Sequence, residues 1–271
     1  MNKSKILITG GNGFIGSYLR NYYIKTNQVF APGHSVLDCT NQQSVDHFFE
    51  THSVDVVIHC ALAGRNRINA IDPALAIQNL EMFNNLWRNR HRFKKLINMG
   101  TGNEFDTSTD INEAPESNLH NNLPIASYGY AKNIVARICA TTEHFYNLRL
   151  FGVFHHSEDQ RRFFKRLKNA TDDAPLRIYQ DHRFDFVNIA DLVPMINIVM
   201  AREAQHKDIN IVYKEKRMLS EHARMFAELH RIPQSRILVE ECGNNNFTGE
   251  SSRYASYNIP VQGLEAGFAE Y

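Results

Sequence analysis

The tightest constraint on this chain is a glycine-rich turn lodged between an apolar strand and a helix. Lys5-Ile6-Leu7-Ile8-Thr9 reads as a buried strand, and Phe14 to about Lys25 reads as a helix. Between them runs Gly10-Gly11-Asn12-Gly13, followed by Phe14-Ile15-Gly16. Gly11, Gly13 and Gly16 fit the spacing G-x-G-x-x-G, and Gly10, Gly13 and Gly16 fit G-x-x-G-x-x-G. Glycines let the backbone turn sharply and approach a pyrophosphate, while the helix start offers free N–H groups and a partial positive charge. The run Gly10, Gly11, Asn12, Gly13, Phe14, Ile15 and Gly16 is therefore expected to bind a dinucleotide.

Strand and helix signals then alternate, the pattern of an α/β chain. Val29–Ala31 and Val36–Leu37 read as the next two strands, and Asn41 as the cap of a helix through Phe48 and Phe49. Asp55–Cys60 reads as a buried parallel strand. Pro73 opens a long helix with an apolar stripe through Leu75, Leu80, Phe83, Leu86 and Trp87. Lys95–Met99 reads as a strand, 102–126 as a long polar loop, and Ser127 as a helix start. Asn147–Val153, Phe186–Ile189 and Ile209–Val212 read as strands. The expected fold is α/β: a Rossmann doubly wound parallel sheet with a small C-terminal substrate-binding lobe. Residues 1–152 would form the nucleotide-binding domain, and 153–271 the remaining sheet elements interleaved with that lobe.

Charge narrows the function. The 271 residues carry 30 Lys+Arg against 29 Asp+Glu, which argues against nucleic acid or a membrane surface as partner. The 4 cysteines, Cys39, Cys60, Cys139 and Cys242, match no zinc or redox spacing, and Cys60 reads as a buried small hydrophobe. Free thiols suit a cytoplasmic setting. The start lacks the apolar stretch of a signal peptide, no segment is apolar for long enough to span a bilayer, and repeats are absent. No metal site is expected; the pair His155-His156 lacks further ligands in its vicinity.

Chemistry is suggested by Tyr128 and Lys132. Of 11 tyrosines, only Tyr128 has a lysine four residues on, which places both on one face at a helix start. A nearby ammonium lowers a phenol's pKa, so Tyr128 is expected to serve as an acid or base. Thr101 stands at a strand end, where a doubly wound sheet binds its ligands, and its hydroxyl can reach a reacting oxygen.

The glycine turn, the strand-end hydroxyl and Tyr-x-x-x-Lys, in this order, resemble the extended short-chain dehydrogenase/reductases, the NAD-dependent epimerase/dehydratase family. Tyr128-Gly129-Tyr130-Ala131-Lys132 resembles the family's Tyr-Gly-x-Ser-Lys, and His59-Cys60-Ala61-Leu62-Ala63 its cofactor-lining strand end. Asn79 matches its long-helix Asn, and Phe184-Asp185-Phe186-Val187-Asn188-Ile189-Ala190-Asp191 its Arg-Asp-Phe segment. The short stretch Val29–Thr40 looks like that of the GDP-L-fucose synthase and dTDP-4-dehydrorhamnose reductase families. The resemblance implies that Thr101, Tyr128 and Lys132 are catalytic. It implies a cofactor lined by Leu37, Asp38, Cys39, Ala61, Leu62, Ala63 and Asn79, with Lys132 on a ribose. Asn103, Arg161, Arg162 and Arg183 would face a sugar nucleotide, Arg suiting a diphosphate by its planar fork.

Two departures matter. The dehydratases' Thr-Asp-Glu is here Thr101-Gly102-Asn103, and the Cys of fucose synthase is replaced by Asn103. Glu104 lies one step further, where a strand would turn it to the opposite face. The expected activity is NAD(P)-dependent reduction of a 4-keto-6-deoxy nucleotide sugar. The alternatives are a nucleotide-sugar 4-epimerase with bound NAD and a non-catalytic nucleotide-sensing protein. The expected cofactor is NADP, with NAD as the alternative. No acid follows the second strand, and His34 stands there as a donor. A homodimer is the candidate assembly.

Overall fold

The computed structural model describes residues 3–64, 72–243 and 245–271. In chain order the elements begin β1 (Lys5–Thr9), α1 (Phe14–Tyr23), β2 (Gln28–Phe30), α2 (Gln42–Thr51), β3 (Val56–His59), α3 (Pro73–Arg88) and β4 (Lys95–Thr101). Next come β5 (Ile111–Ala114), α4 (Ser127–Thr141), β6 (Phe145–Leu150), β7 (Gly152–Phe154), α5 (Phe163–Lys168) and β8 (Leu176–Asp181). The chain ends with β9 (Phe186–Asn188), α6 (Leu192–Ala201), β10 (Asp208–Asn210), α7 (Leu219–Leu229), β11 (Ile237–Cys242), β12 (Phe247–Gly249), α8 (Ser252–Ala255) and α9 (Gly263–Ala269).

Six strands form one sheet in the order β10-β6-β4-β3-β1-β2, the Rossmann arrangement expected from the sequence. β1 pairs in parallel with β2 on one side and β3 on the other, and β3 pairs in parallel with β4. The order reverses between β1 and β3, so a crevice opens at their carboxyl ends, where such sheets bind ligands. All four residues of β3 are buried, as its continuous apolar run requires. Thr9 and His59, facing each other across β1 and β3, satisfy one another at 2.8 Å.

The chain divides into two compact units. The first comprises Met1–Asp106, Ser117–Arg149 and Met195–Ile209. Its core packs Leu7, Val57 and Leu96 of the sheet against Val45 and Phe48 of α2, Phe83 and Leu86 of α3, and Val135 of α4. Asn41 caps α2 by accepting from Ser44 N at 2.9 Å, and Pro73 occupies the first turn of α3. The second unit comprises Thr107–Glu116, Leu150–Pro194 and Asn210–Tyr271. Its centre is Phe164, whose ring lies 4.8 Å from Phe186, 5.2 Å from Phe226 and 4.7 Å from Phe268.

Four local expectations are corrected. Val36–Leu37 is a turn, not a strand; Leu37 is apolar because its side chain fills the core beneath it. Asn147–Val153 is two strands, β6 and β7, in different sheets. A Cβ at Gly152 would lie 2.6 Å from the Phe186 ring, so glycine is needed where β7 comes against β9. The stretch 102–126 is not all loop: it holds 3₁₀ turns at Gly102–Glu104 and Glu116–His120, and β5 pairs with β12. Cys60 is half-buried; Cys39 and Cys139 are the buried cysteines, and all four are free. Among the described residues, no helix is long and apolar enough to cross a membrane.

Candidate active site

The turn after β1 is shaped to receive something flat and charged. Gly10 has φ +66, and a Cβ there would lie 2.7 Å from the Ala61 backbone. Only glycine takes that conformation without strain, and only glycine leaves this gap. At Gly16 a Cβ would sit 2.3 Å from Gly10 O, so α1 packs directly onto the turn. Gly13 caps α1 with no side-chain hydrogen bond, so no cap side chain stands over the N-terminus of the helix. This narrow, uncapped cradle at the crevice between β1 and β3 fits a dinucleotide pyrophosphate.

Of the other residues expected to line a cofactor, Ala61 lies directly against Gly10. Ala61, Leu62 and Ala63 follow β3; Leu62 is exposed, and Ala61 and Ala63 are half-buried. Asn79 is committed to them. Its Oδ1 accepts from Ala63 N at 3.0 Å, and its Nδ2 donates to Ala63 O at 3.1 Å and Leu75 O at 2.7 Å. Asn79 therefore shapes the strand-end loop and spends its amide doing so. Leu37 and Cys39 are buried, and Asp38 Oδ1 accepts from Thr40 N at 2.9 Å and Thr40 Oγ1 at 2.6 Å. His34 is exposed, with Nδ1 3.5 Å from Asp38 Oδ1. The sequence reading missed Arg20. From α1 it reaches back to the turn, Nη1 donating to Asn12 Oδ1 at 3.2 Å. Asn12 in turn lies against Gly33, just past β2, where a Cβ would meet Asn12 Nδ2 at 3.7 Å. No periodic signal marks Arg20; its reach follows from long helical side chains pointing toward the N-terminus.

Thr101, Tyr128 and Lys132 come together within the first unit. Thr101 ends β4 and caps the 3₁₀ turn that follows, its Oγ1 accepting from Asn103 N at 3.3 Å and Asn103 Nδ2 at 3.1 Å. Helix α4 presses onto this turn: a Cβ at Gly129 would lie 2.5 Å from Asn103 O. That close approach brings the Tyr128 phenol into a hydrogen bond with the Thr101 hydroxyl. With both Thr101 lone pairs taken by Asn103, the Thr101 proton is the one available to the phenol oxygen. The phenol's own proton is left for a ligand. Lys132, one turn along α4, is buried and donates Nζ to Met99 O at 3.0 Å.

The electrostatics differ from the sequence expectation. Burial pushes the Tyr128 phenol up to about 12; the Thr101 hydrogen bond lowers it and the Glu104 charge raises it. Burial pushes the Lys132 ammonium down. Glu104 turns inward as expected, though from the 3₁₀ turn and not by alternation along a strand, and its side chain is wholly buried.

The three arginines lie in the second unit. Arg161 Nε donates to Asp159 Oδ1 at 2.8 Å on the surface. Arg162 donates to Glu158 Oε2 at 3.1 Å and Val153 O at 2.7 Å. The Arg183 backbone N donates to Asn246 Oδ1 at 3.0 Å, and Arg183 bridges to Met218. The His155 and His156 rings lie 3.9 Å apart, tilted by 40°, also in this unit.

Residues 6–212 match the model of the NAD dependent epimerase/dehydratase family, and the chain belongs to that family. Among solved structures it resembles a GDP-mannoheptose C4 reductase from Campylobacter jejuni with NADP bound. The TM-score is 0.84 at 19% identity, covering 100% of this chain and 97% of that one. A GDP-L-fucose synthetase from Naegleria fowleri bound to NADP gives 0.83 at 16% identity, covering 100% and 92%. A dTDP-4-dehydrorhamnose reductase from Bacillus anthracis in complex with NADP gives 0.81 at 16%, covering 100% and 98%. A comparison with curated protein sequences finds no match.

Proposed function

We propose that this chain uses NADPH to reduce the 4-keto group of a nucleotide-diphosphate sugar, most simply a 4-keto-6-deoxy sugar. The observation that carries the reading is the Thr101–Tyr128 hydrogen bond beside Lys132, at the carboxyl end of β4 in a chain of this family. When bound, NADPH supplies the hydride. Tyr128 gives a proton to the sugar oxygen as it becomes an alcohol; Thr101, whose own proton goes to the phenol oxygen, fixes the phenol in place, and the second Nδ2 proton of Asn103 is the one assigned to orient the sugar oxygen. A phenol held near 12 keeps its proton at neutral pH, the state a reductase needs. Dehydration and 3,5-epimerisation need a further base beside the sugar carbon. Gly102 and Asn103 do not titrate, and Glu104 faces the interior. The reductases among the structural neighbours, described with NADP, support the same reading.

The backbone from Gly10 to Gly16 would hold the pyrophosphate, Ala61–Ala63 the cofactor's middle, Leu37, Asp38 and Cys39 the adenine, and Lys132 the nicotinamide ribose. Arg20, which reaches from α1 to Asn12, is assigned with His34, past β2, to a 2′-phosphate, Arg20 supplying the charge. Arg161, Arg162 and Arg183 are assigned to the sugar diphosphate. The four free thiols support a cytoplasmic setting. Ile77, Ile125 and Tyr130, exposed around one apolar hollow with Leu80, support a homodimer. Sedimentation is expected to give a dimer that Ile77→Glu converts to monomer; a monomeric wild type would remove this part of the reading.

The test is incubation with a panel of GDP- and dTDP-linked 4-keto-6-deoxy sugars in D₂O. With NADPH, one C4 alcohol and stoichiometric cofactor oxidation are expected. Without it, no deuterium should enter C3 or C5; deuterium there would reveal a base that this reading lacks. Interconversion of two 4-hydroxy sugars without net cofactor use would establish an epimerase instead. Binding of sugar nucleotides with no turnover of any would favour a sensor.

A further inference from the structure

Beneath the Thr101–Tyr128 pair lies a charged cluster that the chemistry above does not use. Glu104 and Arg149 have side chains of 0% exposure, and Asp208 of 8%. Arg149 Nε donates to Glu104 Oε2 at 2.7 Å, and its Nη2 to Asp208 Oδ2 at 2.7 Å. Asn147 Nδ2 donates to Glu104 Oε2 and to Asp208 Oδ1, each at 2.9 Å, and Asn98 Nδ2 holds Asn147 Oδ1 at 2.7 Å. The Arg149 guanidinium also lies 4.5 Å over the Phe105 ring. The second carboxylate oxygen, Glu104 Oε1, accepts the backbone N–H of Thr101 at 2.8 Å. Gly100 makes room for it: a Cβ there would stand 2.4 Å from Glu104 Oε1 and 2.6 Å from Asn147 Oδ1.

Buried ion pairs are a weak means of stabilising a fold, because desolvation can exceed their attraction. Apolar residues of similar volume often serve as well or better. The geometry here points to another use. Arg149 and Asn147 both donate to one oxygen of the Glu104 carboxylate, and its other oxygen meets the residue whose hydroxyl touches Tyr128. We propose that Glu104 is a positioning residue: clamped by Arg149 and Asn147, it holds the Thr101 amide and thereby sets the Thr101 hydroxyl against the Tyr128 phenol.

The same carboxylate has an electrostatic consequence. Its charge opposes ionisation of Tyr128 and favours the Lys132 ammonium. The other titratable and charged groups here are Arg149 on β6, Asp208 on β10 and Cys139 on α4, all interacting with Glu104, and His59 on β3 and Cys60 just beyond it, interacting with Lys132. At Tyr128 the two consequences of removing Glu104 oppose one another: the lost charge lowers the phenol's pKa, and the lost Thr101 hydrogen bond raises it.

This inference rests on the reductase reading, so its test has a part that needs no substrate. In Glu104→Gln, one terminal atom becomes a donor, and the side chain cannot accept from Thr101 N and Arg149 at once. With a 4-keto-6-deoxy nucleotide sugar, kcat is expected to fall about tenfold or more. The KM for sugar and the Kd for NADPH should stay within about twofold. Should Glu104→Gln fold poorly, the variant Glu104→Met/Arg149→Met/Asp208→Asn, which removes the buried charges together, guards the conclusion: a near-wild-type melting temperature is expected with the same loss of kcat. Unchanged kcat in either folded variant overturns the proposal, as does a loss of NADPH affinity parallel to that of kcat. If the wild type reduces no member of the panel, the reductase reading fails, and the positioning role is judged by the crystal structure of Glu104→Gln. The Thr101 hydroxyl should then stand beyond hydrogen-bond distance of the Tyr128 phenol. A Thr101–Tyr128 pair unmoved from its wild-type place would overturn the role of Glu104 whatever the substrate.

Discussion

Tyr128 is held protonated by burial, and a protonated phenol is what a reductase must present to its substrate. Tyr128→Phe is therefore expected to lower kcat by roughly 10²–10⁴-fold while leaving the NADPH Kd nearly unchanged. Lys132→Met should harm both, because Lys132 is assigned to the ribose and its Nζ also ties α4 to Met99 O. Near-normal turnover in Tyr128→Phe, measured by NADPH oxidation, would remove the mechanism. Arg20 gives a separate residue-scale prediction. If its guanidinium meets a 2′-phosphate, Arg20→Ala should weaken NADPH about tenfold and leave NADH unaffected. Fluorescence titration of both cofactors decides it; equal weakening would reduce Arg20 to a support for Asn12. Thr101, Tyr128 and Lys132 were legible because their spacing and strand context are local in the chain. The Glu104–Arg149 pair was not, because its partners are 45 residues apart and only the sheet brings β4 beside β6.

At the scale of elements, the β1–α1 junction is the part most fully written in the sequence. Its glycines answer to specific close approaches, which makes them testable one by one. Gly16→Ala places a Cβ 2.3 Å from Gly10 O, and backbone cannot move aside as a flexible side chain would. The helix must shift off the turn, with an expected loss of about 1–3 kcal/mol by thermal or denaturant unfolding and a sharp loss of NADPH affinity. Wild-type stability and affinity in the Gly16→Ala protein would mean that the turn is not the cradle described. Elsewhere, legibility failed where an apolar residue serves packing without being in a strand. Leu37 fills the core from a turn, and a two-residue apolar run cannot distinguish the two cases. The run through Asn147–Val153 looked continuous because both β6 and β7 are buried throughout. The break between them shows only in Gly152, and the partner that requires glycine there, Phe186, lies far along the chain.

The whole molecule carries a buried histidine in each compact unit, and these tie stability to pH. His59 of the first unit shares a 2.8 Å bond with Thr9, and burial pushes its pKa down to about 3. His222 of the second unit bonds Phe184 O at 2.9 Å, and burial pushes its pKa down to about 4. Both folded values lie below the ordinary 6.5, so the unfolded chain takes up these protons first as pH falls. Their contribution is complete above about pH 6.5 and shrinks at lower pH, by about 1.4 kcal/mol per unit for each histidine. Asp185 of the second unit works in the opposite sense. Burial raises its carboxyl to about 6, so the folded chain protonates it first on acidification and offsets much of the His222 loss. Glu104, also raised by burial, acts the same way in the first unit, so the wild-type slope is a sum of opposed parts. A single variant isolates one of them. His59→Asn keeps a side-chain partner for Thr9 but cannot be protonated. Relative to the difference at pH 7, it should gain on the wild type by about 2 kcal/mol at pH 5 in urea unfolding. A difference that stays constant from pH 7 to about pH 5 would mean that His59 takes up its proton in the fold as readily as in the unfolded chain, and the Thr9–His59 pairing would have to be redrawn.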